Sequence, residues 1–236
     1  CISSAASDVY KRQVWRFIGK LGDLIILNVL WLITSIPIVT IGASTTALYY
    51  VTLKLVRDED GYTIRSFFKS FKENFKQSTI IWLIMLAVGL LIGFDLYFFI
   101  YMQTDPSKLR SIMVAVFGSL GLVYLCILTY VFPLQSRFYN PVKRTLFNAF
   151  FMSIRHILQT LGILVMDIAL GVLMFVTFFS APQFSVLFFL FGFPLVAFVN
   201  SFVFHAIFKK YIPKNDREDD KELRPLFADE DNGKEQ

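Results

Sequence analysis

The sequence predicts an all-α protein, a polytopic bundle of transmembrane helices, and three observations carry that expectation. Of 236 residues, 56% are hydrophobic and only 17% charged, against about 45–50% and about 25% in soluble domains. Phenylalanine alone supplies 27 residues, and its ring has no polar tip to satisfy on a lipid-facing surface. Long apolar runs alternate with short basic segments, as in a chain that recrosses a bilayer. A soluble core of this length cannot hide so much apolar surface, whereas in lipid every outward helix face stays apolar.

Residues 1–13 have no initiator methionine and no apolar stretch of signal-peptide length. They are read as a non-native leader or cloning remnant and set aside from the fold. The transmembrane domain is expected over residues 14–212. A spanning helix needs about 20 mostly apolar residues, and the runs 78–101, 109–133, 157–180 and 184–208 meet that need. Residues 14–56 admit two readings. One is a single span followed by an interfacial helix. The other is a hairpin of two helices, one over residues 14–35 and one from Pro37 or Ser44 to Val56. Pro37 suits a first helical turn, where its missing N–H costs nothing.

Charge separates the two readings. Lys11, Arg12, Arg16 and Lys20 precede the first apolar run, while Lys54, Arg57, Arg65, Lys69, Lys72 and Lys76 follow Val56. Arg137, Lys143, Arg144 and Arg155 lie between the middle spans, and Lys209, Lys210 and Lys214 follow the last. The positive-inside rule puts these segments and both termini in the cytoplasm, which requires an even number of crossings. Six spans are expected, with five as the alternative, and a re-entrant turn between Ser35 and Ser44 stays open. The tail 213–236 carries five Lys/Arg and nine Asp/Glu, a net charge of −4 that leaves +9 on the rest of the +5 chain. Such a tail is expected to be disordered and cytoplasmic.

Two basic stretches read as interfacial amphipathic helices. Over residues 62–77, Ile64, Phe67, Phe68, Phe71 and Phe75 form one stripe, with Arg65, Lys69, Lys72 and Lys76 on the other side. Over residues 141–156, Leu146, Phe147, Phe150, Phe151 and Ile154 are apolar beside Arg144. Both patterns suit helices with aromatic rings in the acyl boundary and cations at anionic headgroups, or helices packed beneath the bundle. R-[ST]-x-F-x-[SA]-F occurs at Arg65–Phe71 and Arg144–Phe150, and a proline sits at 37, 133 and 194 in each returning arm. These repeats suggest three hairpins.

Ionisable and polar groups at membrane depth are the candidate site, because a charge in hydrocarbon costs several kcal/mol, about 2.5–3.5 on insertion scales. Asp167, Asp95, Asn200 and Asn28 are those candidates. The plainer reading is that they join helices by hydrogen bonds. His156 and His205 lie near helix ends, and Cys126 lies within an apolar run. No phosphate loop, GxSxG, HExxH or CxxC occurs, so no catalytic residue, metal or cofactor is expected. The basic residues flank spans, which speaks for a lipid bilayer rather than nucleic acid as their partner.

The segment Ile36-Pro-Ile-Val-Thr-Ile-Gly-Ala-Ser-Thr-Thr-Ala-Leu-Tyr-Tyr50, Lys54-Leu-Val-Arg57 and Arg65-Ser-Phe-Phe-Lys-Ser-Phe71 resembles the YesL-type integral membrane proteins of Gram-positive bacteria. Phe132-Pro-Leu-Gln-Ser-Arg-Phe138, Asn148-Ala-Phe150 and Ile154-Arg-His156 resemble the second half of that pattern. The resemblance implies a bacterial plasma-membrane protein of uncharacterised activity. Genes of such proteins often lie beside sugar-uptake transporters, which implies an accessory or regulatory role in oligosaccharide uptake, with sugar ABC-transporter subunits as partners. The alternative is a small transporter with a polar site near Asp167.

Overall fold

The computed structural model describes residues 2–59, 61–102 and 108–211, and the expected tail 213–236 lies outside the described residues. Seven α-helices account for them, with no strand among the described residues. They are α1 (Ile2–Thr34), α2 (Ile41–Val56), α3 (Thr63–Tyr97), α4 (Lys108–Arg137), α5 (Val142–Arg155), α6 (Ile157–Ser180) and α7 (Ser185–Phe208). Among the described residues five segments are long and apolar enough to cross a membrane: Ile38–Val56, Thr63–Met102, Lys108–Arg137, Ile157–Ser180 and Leu190–Phe208. Four of these match the expected runs 78–101, 109–133, 157–180 and 184–208, and Ile38–Val56 is the returning arm of the expected first hairpin; its outgoing arm, 14–35, lies on α1, which is helical to Thr34.

The first hairpin forms as the sequence suggests, with its turn slightly displaced. Pro37 cannot extend α1, since it lacks an N–H and disfavours helical geometry at Ile36. It does not open α2 either: a single 3-10 turn, Ile38–Thr40, intervenes. The Thr40 hydroxyl closes this tip by donating to the carbonyls of Thr34, at 2.6 Å, and Pro37, at 2.7 Å. At the other end of the hairpin the Lys20 ammonium reaches Asp58 at 2.6 Å and the Thr63 hydroxyl donates to Asp23 at 2.6 Å. Asp58 adopts a left-handed φ of 55°, a conformation Asp tolerates in tight turns.

Helix α2 is the centre of the bundle. It packs on α1, α3, α4 and α7, and its small residues Gly42, Ala43, Thr46 and Ala47 are buried. Small side chains let backbones approach closely where lipid provides no hydrophobic drive for helix association. Hydroxyls then bond across the seams: Thr46 to Ser78 at 2.9 Å and Thr52 to Ser201 at 2.8 Å. The Trp82 indole N–H of α3 donates to the Ile38 carbonyl at 2.8 Å, holding the hairpin tip.

The expected interfacial helix over residues 62–77 is not a separate element. Nothing between Gln77 and Ser78 breaks a helix, so α3 runs unbroken for 35 residues, about 52 Å at 1.5 Å per residue. Its aromatic stripe also divides. Phe67 is fully buried and Phe71 packs against the α1–α2 core, while Ile64, Phe68 and Phe75 remain exposed. Arg65, Lys69, Lys72 and Lys76 are all exposed, and their 4-3-4 spacing places them on one ridge.

Helix α4 returns antiparallel to α3, with Gly89 against Tyr124 and Gly121 against Ile92. Arg110, a cation inside the expected span 109–133, donates to the Phe99 carbonyl at 2.9 Å and the Ile100 carbonyl at 2.7 Å. These belong to the π-helical turn Phe98–Met102 that ends α3, where carbonyls lack intrahelical donors. The three prolines are not equivalent: Pro133 and Pro194 sit inside α4 and α7, whereas Pro37 sits in a turn.

Helix α5 is amphipathic in an unexpected sense. It buries Thr145, Ala149, Met152 and Ser153 against the bundle and exposes Phe147, Phe151 and Ile154. Its start is fixed by polar bonds: Thr145 donates to the Gln135 side chain at 3.1 Å, Gln135 to Asn74 at 3.3 Å, and Gln77 to the Asn140 carbonyl. Through these contacts the first half of α3, the end of α4 and the start of α5 share one basic end of the bundle. His156 and Phe208 join it through Tyr211 and Phe138.

Candidate intramembrane polar site

Two of the four polar residues singled out in the sequence meet. Helices α6 and α7 form an antiparallel pair. The Asn200 amide of α7 donates to Asp167 of α6, at 3.0 Å to Oδ1 and 3.4 Å to Oδ2. Asp167 is ten residues beyond the start of α6, about 15 Å along the helix. Asn200 is only 1% exposed, and its Oδ1 is buried without a hydrogen-bond partner. Tyr49 of α2 is within hydrogen-bonding range of the Asn200 side chain and within electrostatic reach of Asp167, while Asn200 Oδ1 itself accepts no hydrogen bond. Helices α2, α6 and α7 thus present oxygen atoms to one small junction.

The other two candidates lie elsewhere. Asp95 is half-buried near the end of α3 farthest from the basic loops, and α3 makes no substantial contact with α6 or α7. Asn28 is buried on α1 between Leu27 and Val29, on a helix that packs against α7. The basic candidates Arg65, Lys69, Lys72, Lys76 and Arg144 are all exposed at the surface.

Several supporting groups escape a sequence reading. Thr52 and Ser201 bond in the residue next to Asn200. Below it, Phe204 is fully buried, edge-on to Tyr49 at 5.8 Å and to Tyr130 at 5.2 Å. Thr160 donates to the Tyr130 hydroxyl at 3.0 Å. Single Thr, Ser and Tyr residues in apolar runs signal only that some neighbour must satisfy them; which neighbour depends on helix rotation.

At the basic end, His156 bonds the Tyr211 hydroxyl at 3.0 Å. Burial chiefly, and then the nearby Lys210 and Arg155 cations, push its imidazole below the ordinary histidine value. A histidine depressed on folding contributes stability that is whole above the unfolded value of about 6.5 and is lost as pH falls through the lower folded value. Thermal stability should therefore decline on the acid side of about pH 6.5, and His156→Gln should flatten that part of the profile. An unchanged slope in the variant would exclude His156 as its source.

Taken together, described residues that are helical throughout the elements, with five crossing-length helices among them and polar groups paired between helices, make a polytopic membrane bundle. Residues 24–96 match a family described as a protein of unknown function, DUF624. The chain is 30% identical over 156 residues to the uncharacterized protein YesL of Bacillus subtilis, covering 64% of this chain and 71% of that protein. It is 27% identical over 165 residues to the uncharacterized protein YteU of the same organism, covering 67% and 72%. The chain belongs to the uncharacterised YesL-like family. No solved structure matches it.

Proposed function

We propose that the chain is a multi-pass protein of the bacterial plasma membrane, with both termini cytoplasmic, that serves as an accessory or regulatory component of an oligosaccharide uptake system. The observation that supports this reading is the surface of α3. Its first half presents the ridge of Arg65, Lys69, Lys72 and Lys76. Its second half exposes Leu83, Leu90, Leu91 and Phe94. A long helix that is basic at one end and apolar along the other suits a lipid bilayer and a neighbouring membrane subunit. The family match falls on this helix and the hairpin that braces it. The reading assigns the chain no catalytic step and no cofactor.

Gentle detergent purification from its own host tests it: sugar ABC-transporter subunits should accompany the chain at fixed stoichiometry. A chain that runs alone and binds saccharide favours the second reading, a small transporter, which the Asp167–Asn200 pair supports. Topology has a separate check. Ile38 is exposed at the hairpin tip, so Ile38→Cys should react with an impermeant maleimide added outside intact cells. Reaction only after permeabilisation would break the expected pairing of crossings.

A further inference from the structure

We propose that the junction of α2, α6 and α7 is a binding site for one monovalent cation, a proton or a sodium ion, held by Asp167 and Asn200. The proposal does not depend on the uptake role. The Asn200 amide nitrogen sits 3.0 and 3.4 Å from the two carboxylate oxygens of Asp167. A carboxylate has about four lone-pair sites, so one amide group leaves it with unused acceptors. The ion pairs Lys20–Asp58 and Arg57–Glu59 do not involve Asp167. When ionised, Asp167 gives the junction one negative charge.

Asn200 Oδ1 is the second observation. It is fully buried on a residue 1% exposed and accepts no hydrogen bond, a costly arrangement for an amide oxygen. Half a turn of the terminal amide exchanges its oxygen and nitrogen, an ambiguity common to all Asn side chains. In that second orientation the amide oxygen and the carboxylate face the same point. A proton on Asp167 then donates to Oδ1, or a sodium ion sits between them, with the nearby Tyr49 hydroxyl as a further oxygen. Oxygen donors with a single negative charge select a hard ion of one positive charge. A divalent ion would leave the junction charged at membrane depth, which is unfavourable.

The surrounding elements carry titratable groups of their own. Asn200 of α7 is uncharged, and Tyr49 is the group that α2 presents. On α4, Tyr130 bonds Thr160, two turns nearer the basic end, and Cys126 lies one turn back along that helix; His205 of α7 is five residues nearer the basic end than Asn200. Arg155 closes α5 over the Tyr211 ring.

The test uses the full chain in lipid nanodiscs, with two arms. Infrared difference spectra between about pH 4 and pH 9 seek a carboxyl band; unfolding temperatures in NaCl against choline chloride at equal ionic strength seek sodium binding. Asp167→Asn keeps an amide pair and serves as the ablated form, and Asn200→Ala is read beside it so that neither variant's folding decides alone. A carboxyl band lost in Asp167→Asn identifies the proton, and a sodium-specific stabilisation lost in the same variant identifies sodium; Asn200→Ala should weaken whichever response is seen. If neither arm responds in the unsubstituted protein, or Asp167→Asn responds equally, the proposal is overturned. Transporter co-purification is decided independently of either outcome.

Discussion

Gly42→Leu should prevent the bundle from assembling, and Gly42→Ala should destabilise it by about 1–3 kcal/mol, the usual cost of overpacking. A Cβ at residue 42 would lie 2.5 Å from the Ser78 carbonyl oxygen, 2.5 Å from Trp82 Cβ and 3.2 Å from the Phe132 ring. The first two atoms belong to or adjoin the backbone of α3, so relief requires moving a whole helix. That helix is held by Thr46–Ser78 and by Trp82 on the hairpin tip, and the movement would loosen both. Gly89 supplies the control. A Cβ there meets the Tyr124 hydroxyl at 2.6 Å and its Cζ at 2.9 Å, the far end of a half-buried side chain rather than backbone. Replacing Gly by Ala in a helix also gains up to about 1 kcal/mol of propensity, so Gly89→Ala should be near neutral. Unfolding midpoints in a mild detergent compare the two. Equal midpoints for both alanine variants would show that α2 and α3 are not locked at residue 42.

The helices were legible from sequence because hydrocarbon imposes a length and a polarity that any span must meet. The ends of α6 and α7 fall at or within a residue of the expected 157–180 and 184–208, where Pro182 and a change of polarity mark the turn. Helix α3 was misread for a physical reason. A change from basic to apolar composition at Gln77–Ser78 resembles a boundary, but helical hydrogen bonding needs a breaker to stop, and none is present. The division of its aromatic stripe was hidden too. Sequence periodicity gives an apolar face, but whether lipid or α1 and α2 cover that face is decided by packing. Helix α5 shows the same limit, since its small residues rather than its phenylalanines face the protein.

The candidate site was half legible. A lone Asp in an apolar helix must find a partner, so Asp167 was conspicuous. Its partner is 33 residues away on another helix, and Asn28 and Asp95 were equally plausible until the rotation of α7 was fixed. That rotation rests on contacts with little sequence signature, chiefly Phe204 between Tyr49 and Tyr130 and Ser201 on Thr52.

Asn200→Leu should destabilise the bundle by about 1–2 kcal/mol, a value set by two competing magnitudes. Hydrogen bonds to charged groups contribute about 1.5–3 kcal/mol in soluble proteins. Interhelical hydrogen bonds in membranes average only about 0.6 kcal/mol and reach about 1.7, since separated helices find other partners in the bilayer. The Asp167–Asn200 bond should fall near the top of the membrane range, because one amide contacts both carboxylate oxygens and Leu would leave the carboxylate facing an apolar wall. The sign pattern is more telling than the size. Asp167→Leu alone strands the Asn200 amide, already the holder of one unpaired oxygen, and should also destabilise. The double variant removes both polar groups and should recover much of the loss, as apolar replacement of a whole buried pair commonly does. A double-mutant cycle by reversible denaturation in mixed micelles measures that coupling directly. Additive losses, with no recovery in the double variant, would mean that Asp167 and Asn200 stabilise the bundle through separate partners rather than through each other.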